Sequence, residues 1–257
     1  IIGHPDVRRM LMDMKARVEA MRALAYYTAG QMDRAHGDAD GAVRRSAQTL
    51  VDLLIPVVKG WCTDNALGIT SDGVQVHGGM GFIEETGASQ HLRDARITTI
   101  YEGTTGIQAN DLIGRKLARD GGAAMKQLIA TMTADVDAAD DAGDALLGSI
   151  RAALATGLRA LTEATDWLLA APARDAAAGA VPYLKLCGTV IAGWLMSRAA
   201  RAATLQLARG DTDGDFLSAK RITAQHYALH VLPHAGALRD TVLHGAATTL
   251  GLADTQF

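Results

Sequence analysis

The chain has 257 residues, 49% of them hydrophobic and 21% charged, enough apolar mass to build a real core in one large domain or two modest ones. A net charge of −3 with a pI near 6.2 counts against nucleic acid or an anionic membrane surface as partner. Aromatics make up only 4%, so the core falls to Ala, Leu, Val, Ile and Met, a palette that favours close helix packing over a β-sandwich.

His4-Pro5-Asp6 marks a helix start, because proline is tolerated at the first helical position. Val7, Met10, Leu11, Met14, Val18, Met21 and Ala25 then repeat at helical period. The polar GDADG at 37–41 reads as a loop. A second stripe runs through Val43, Ala47, Leu50, Val51, Leu54, Ile55 and Val58, with Pro56 predicting a kink or short break. A separate helix is expected over 61–77, its regularity weakened by Gly60, Gly68 and Gly73.

HGGMGFIEETGAS, residues 77–89, is too glycine-rich for a regular element and is expected to be a long turn. Residues 92–99 lead into IYEGTTGIQ, and 105–119 are expected to be helical, with Ile107, Leu112, Ile113 and Leu117 on one side. The run DVDAADDAGD holds five aspartates between Asp135 and Asp144 and reads as a solvated connection or helix end. Beyond it, Leu147, Ile150, Leu154, Leu158, Leu161, Thr165 and Leu168 form one stripe, and Tyr183, Cys187, Val190, Ile191, Trp194 and Leu195 another. GDTDG at 210–214 breaks the pattern, and residues 216–231 and 235–250 give a final helical pair. The expected fold class is all-α, in two layers or bundles joined near residue 135. No apolar run is expected to reach the ~18–20 residues of a membrane span.

Two cysteines, Cys62 and Cys187, lie far apart with no metal-ligand spacing around either, and are expected to be buried thiols in a reducing compartment. The opening IIGHPDV has neither a Met nor a basic-then-apolar leader, so the chain is expected to be a piece of a longer product.

Candidate chemistry centres on Glu102. Flanked by Tyr101 and Gly103 and preceded by Ile100, its carboxylate is expected to be partly desolvated, which would raise its pKa towards the range useful for a general base. Gly103 leaves room for a flat ligand, and Thr104 and Thr105 offer hydroxyls to a polar cofactor rim. On these grounds alone a structural glutamate at a helix start is the simpler reading. Gly78, Gly79 and Gly81 suggest a phosphate cradle, but their spacing fits neither the P-loop nor GxGxxG. Arg93, Asp94 and Arg96 have the look of structural charges. Glu84 and Glu85 sit side by side on an irregular turn, solvated or salt-bridged. His77 and His91 lack partners at ligand spacing, and no metal is expected.

VQVHGGMGF, HLRDARI and IYEGTTGIQ occur in that order within residues 74–108. Together they resemble the C-terminal helical domain of acyl-CoA dehydrogenases, over about residues 1–118. Residues 119–257 resemble the additional helical domain of longer bacterial members. The wording is most similar to the branch that includes 3-methylmercaptopropionyl-CoA dehydrogenases. In that family the helical and β-domains that complete the site precede this one.

The resemblance implies an FAD-dependent desaturation of an acyl-CoA substrate. Glu102 would be the base that takes the α proton, and its backbone N–H would help hold the thioester oxygen. Tyr101 and Gly103 would line the substrate pocket, and Thr104 would touch the flavin. Gln75, Gly78 and Gly79 would reach the adenosine-diphosphate part of FAD held by a neighbouring subunit of a homo-oligomer. Electron-transfer flavoprotein is the implied electron acceptor, and the bacterial cytoplasm the implied location. Gly106 departs from the Gln or Glu that many members carry there. Without the preceding domains, little or no FAD binding and no turnover are expected of these 257 residues alone. Rival readings are an acyl-CoA oxidase, an assembly role for the extension, and DNA binding as in one alkylation-response relative. The scattered Arg and Lys amid many Asp in residues 119–257 speak against the last.

Overall fold

A computed structural model describes residues 1–139, 143–210 and 213–257. The described residues are helical, mainly α with short 3₁₀ turns and one π-helical segment, and hold no strand, as expected. Helix α1 (Pro5–Gly37) and α2 (Gly41–Val76) form a long antiparallel pair, and Asp40 caps α2 by accepting from Ala42 N at 2.7 Å. The deepest line of α1 is Ala16, Ala20, Leu24 and Thr28 rather than the expected Met14, Val18, Met21 and Ala25. Ala16, Ala20 and Thr28 on this line are small, and Leu24 is its one bulky side chain.

Pro56 does not break α2, so the helix expected over 61–77 is the second half of one continuous element. An interior proline removes one backbone hydrogen bond, and burial of Leu53, Leu54, Pro56, Val57 and Trp61 around it holds the helix together. The long turn at 77–89 is also partly regular. It contains α3 (Gly79–Phe82), a 3₁₀ turn at Glu84–Thr86 and the start of α4 (Ala88–Thr98).

After the YEGT turn come α5 (Thr105–Asp111) and a π-helical segment, Leu112–Leu117. Five residues subtend roughly 140° off a common face in an α-helix, and the wider π turn narrows that offset. Leu112 and Leu117 can therefore both be buried, at 0% and 2% exposure. Ile107, expected on the same side, is exposed.

Helix α6 (Ala123–Asp137) runs through the expected join at residue 135. Asp135 accepts from Trp194 Nε1 at 2.8 Å, and Asp144 caps α7 (Ala145–Ala170) through Leu147 N at 3.1 Å. Both aspartates lie at helix ends, the helix-end reading of this run, and serve there as structural acceptors, whereas Asp140 and Asp141 lie outside the described residues. The α7 stripe is buried as expected.

Helix α8 (Ala173–Ala178) leads to α9 (Ala180–Ala208), which is followed by α10 (Gly214–His230), α11 (His234–His244) and α12 (Ala246–Thr249). In the expected GDTDG break, Asp211 and Thr212 lie outside the described residues. Helix α9 is the central element, packed against α1, α2, α5, α7, α10 and α11. It is buried on nearly every side, not along one stripe. By length and composition it is apolar enough to cross a membrane, contrary to the sequence expectation, but 78% of its most apolar window is buried inside the protein. One continuous apolar core runs from Ala16 in α1 to Val242 in α11.

Candidate active site

The turn between α4 and α5 is shaped before Glu102 is reached. Arg96 donates to Thr99 Oγ1, Thr99 O accepts from Thr105 N at 3.1 Å, and Thr104 Oγ1 caps α5 by accepting from Ile107 N at 3.3 Å. Within that frame Glu102 and Gly103 are both left-handed, with φ of 54° and 88°. Gly103 suits this geometry, but Glu102 does not, and among the described residues it is the one non-glycine residue with positive φ. A side chain in this region costs about 1–2 kcal/mol. Such strain persists only where surrounding contacts over-determine the backbone, which is characteristic of functional sites.

Those contacts are visible. Gln108 Nε2 donates to Glu102 O at 3.0 Å, and Lys59 Nζ reaches from α2 to Gly103 O at 2.6 Å. A Cβ on Gly103 would fall 2.9 Å from Gln108 Nε2, so the glycine also makes room for this latch. The Lys59 ammonium stands 5.9 Å from the centre of the Tyr101 ring. Thr105 Oγ1 donates to Asp64 Oδ1 at 2.8 Å, and Lys185 of α9 pairs with Asp64 Oδ2 at 3.1 Å.

Glu102 is exposed, so the expected desolvation of its carboxylate is not supplied by this chain. Its neighbours explain why: Tyr101 is 51% exposed and turns its ring towards Lys59, and Gly103 has no side chain to cover anything. Nor is Glu102 a helix-start glutamate, since α5 is capped by Thr104. Its side chain has no hydrogen bond or ion pair among the described residues, and its backbone N–H meets no acceptor there. Carboxylate and amide are both left available.

Lys59, Asp64 and Gln108 are site residues missed by the sequence reading. The available signal was Lys59 itself, a charge within the apolar run LLIPVVKGWC. Thr105, expected to offer its hydroxyl to a cofactor, spends it on Asp64. Arg93 pairs with Glu84, and His77 Nδ1 lies 2.7 Å from Gly73 O, all within the fold's own framework.

Gln75, Gly78 and Gly79 sit at the far end of α2, all exposed. Sixteen residues of helix separate Gln75 from Lys59, about 24 Å at 1.5 Å per residue. The chain therefore brings Tyr101, Glu102, Gly103 and Thr104 together and holds Gln75, Gly78 and Gly79 apart from them. At Gly78, with φ of 61°, and at Gly79, a Cβ would meet nothing within 4 Å. The backbone there is open to solvent, although the Gly78 N–H is already donated to Gln75 O at 3.0 Å.

Two family models cover nearly the whole chain. The acyl-CoA dehydrogenase C-terminal domain matches residues 1–118, and the acetyl-CoA dehydrogenase C-terminal-like domain matches residues 124–253. The chain belongs to the acyl-CoA dehydrogenase family. It is 48% identical to 3-methylmercaptopropionyl-CoA dehydrogenase of Ruegeria pomeroyi over 92% of this chain and 40% of that protein. It is 35% identical to a broad-specificity linear acyl-CoA dehydrogenase of Mycobacterium tuberculosis over 94% of this chain and 41% of that protein. The chain thus spans about two fifths of the length of these curated relatives. In fold it is similar to an acyl-CoA dehydrogenase from Bacillus anthracis complexed with FAD, with a TM-score of 0.69 at 17% identity over 98% of this chain and 43% of that one.

Proposed function

We propose that this chain is the C-terminal helical part of an FAD-dependent acyl-CoA dehydrogenase, with Glu102 as the base. The observation that carries the reading is the left-handed, latched Glu102, whose carboxylate and amide are both unspent. The α proton of a thioester is a weak acid, so its removal needs a positioned carboxylate and a donor for the negative charge that develops on the thioester oxygen. Glu102 supplies the first through its side chain and the second through its N–H. Tyr101 and Gly103 flank the acyl group, with Gly103 allowing close approach. FAD, when bound, would supply the hydride acceptor. Thr104 would face the flavin side, and Gln75, Gly78 and Gly79 would hold the adenosine-diphosphate end of a neighbouring subunit's FAD. Their separation from Glu102 along α2 supports a contact made in trans, within a homo-oligomer.

Residues 1–118 and 119–257 are proposed as the catalytic helical domain and its extension, with electron-transfer flavoprotein as electron acceptor and the bacterial cytoplasm as location. The 48% identity to the Ruegeria pomeroyi protein supports a short or thioether-bearing acyl group as substrate. Because Glu102 is exposed and the flavin-facing groups are separated on this chain, the 257 residues alone are proposed to bind little or no flavin. Yellow protein with flavin absorbance co-eluting with this chain would contradict that. The full-length enzyme, assayed against a panel of acyl-CoA thioesters with an artificial electron acceptor, tests the activity. Turnover with 3-methylmercaptopropionyl-CoA is expected, and inactivity across the whole panel would overturn the reading.

A further inference from the structure

We infer that Lys59 is a positioning residue for the reaction, holding the Glu102–Gly103 turn in its left-handed conformation; this rests on Glu102 being the base. The carbonyls of Glu102 and Gly103 are each gripped by a side chain. Gln108 takes Glu102 O from within α5, and Lys59 takes Gly103 O from α2, 44 residues away in sequence. Gln108 holds the turn from α5, which is itself packed on α2 and α9; the second grip, from a separate element, is Lys59. It projects from the stretch of α2 where Val57, Gly60 and Trp61 are buried against the core, and it ties the turn to that rigid element.

The bond is charge-assisted and 2.6 Å long, among the stronger kinds of protein hydrogen bond. The same ammonium lies near the Tyr101 ring, so one cation restrains the residues on both sides of Glu102. It acts on the carbonyl after the base and makes no ion pair with a carboxylate among the described residues. Its effect is therefore on where the Glu102 carboxylate and N–H point. A misplacement of about 1 Å at a reacting group costs on the order of 100-fold in rate.

In the full-length enzyme, Lys59→Met is expected to lower kcat about 10- to 100-fold with KM and flavin content little changed. Lys59→Arg, which keeps a charged donor, is expected to restore part of the loss. Should Lys59→Met fail to fold, Lys59→Gln carries the same test. In the 257-residue chain itself, free of flavin, Lys59→Met is expected to speed hydrogen exchange at the Thr105 and Ile107 amides at least about tenfold, because their acceptors lie in the turn. Unchanged exchange together with near wild-type kcat would overturn the inference, as would a loss confined to KM. Glu102→Gln is measured alongside. If it is inactive while Lys59→Met is fully active, the positioning role alone falls. If Glu102→Gln is itself fully active, the base assignment falls and the positioning role with it.

Discussion

The backbone of Gly188 lies against the indole of Trp61, so close that a Cβ at 188 would fall 2.1 Å from Trp61 Cγ. Gly60, one residue before Trp61, meets Leu184 in the same way, with a would-be Cβ 2.9 Å from Leu184 Cδ1. This contact seats α9 on α2 close to Lys59. Gly188→Ala forces the indole or the helix to move, and overpacking of this kind costs about 1–3 kcal/mol. Thermal unfolding should register it as a Tm lowered by several degrees.

The strain at Glu102 has the opposite sign in a stability measurement. The side chain is exposed and makes no internal bond among the described residues, so its removal loses no packing. Glu102→Gly is expected to stabilise the fold by about 1 kcal/mol, the left-handed cost recovered. A higher urea midpoint at constant slope would show it.

His226 gives a pH dependence with a definite sign. Burial is the main reason its pKa lies below the ordinary value, and the stacked His230, 4.1 Å away ring to ring, and Arg17 push the same way. Asp13 opposes them, but at 3.7 Å it is too distant to satisfy Nε2, which is buried without a hydrogen-bond partner. The folded state therefore resists protonation that the unfolded chain accepts near pH 6.5. Stability from this residue is complete above that pH and is lost as pH falls towards the folded pKa. Denaturation midpoints measured from pH 7.5 to 5.5 should fall, and His226→Gln should flatten the slope.

Burial pushes both thiols, Cys62 and Cys187, up to about 12. Since the thiolate is the reactive form, a colorimetric disulfide reagent at pH 8 should label neither quickly in the native protein. Both should react at once in guanidinium chloride.

Much of this architecture was legible from periodicity. The α7 stripe from Leu147 to Leu168 is buried as its spacing predicts, because a helix with one neighbouring layer needs only one apolar face. Legibility failed where tertiary contacts overrode local signals. Pro56 sits inside an intact helix because residues around it are buried, and α9 is apolar nearly all round because it has neighbours on almost every side. The site followed the same division. YEGT with its flanking motifs pointed to Glu102, but the latch from Lys59 spans 44 residues, and no local pattern encodes such a pair. The expected desolvation of Glu102 failed because flanking residues in sequence do not cover a side chain in a turn.

The base assignment is tested most directly by rapid mixing of substrate with the full-length Glu102→Gln enzyme, following the absorbance of its bound flavin. Glutamine keeps the size and the backbone amide of the residue and removes only the proton acceptor. The expected result is a protein that retains flavin and binds acyl-CoA, yet whose flavin is not bleached on the timescale of the unmodified enzyme. Bleaching at close to the unmodified rate would contradict the assignment of Glu102 as the base.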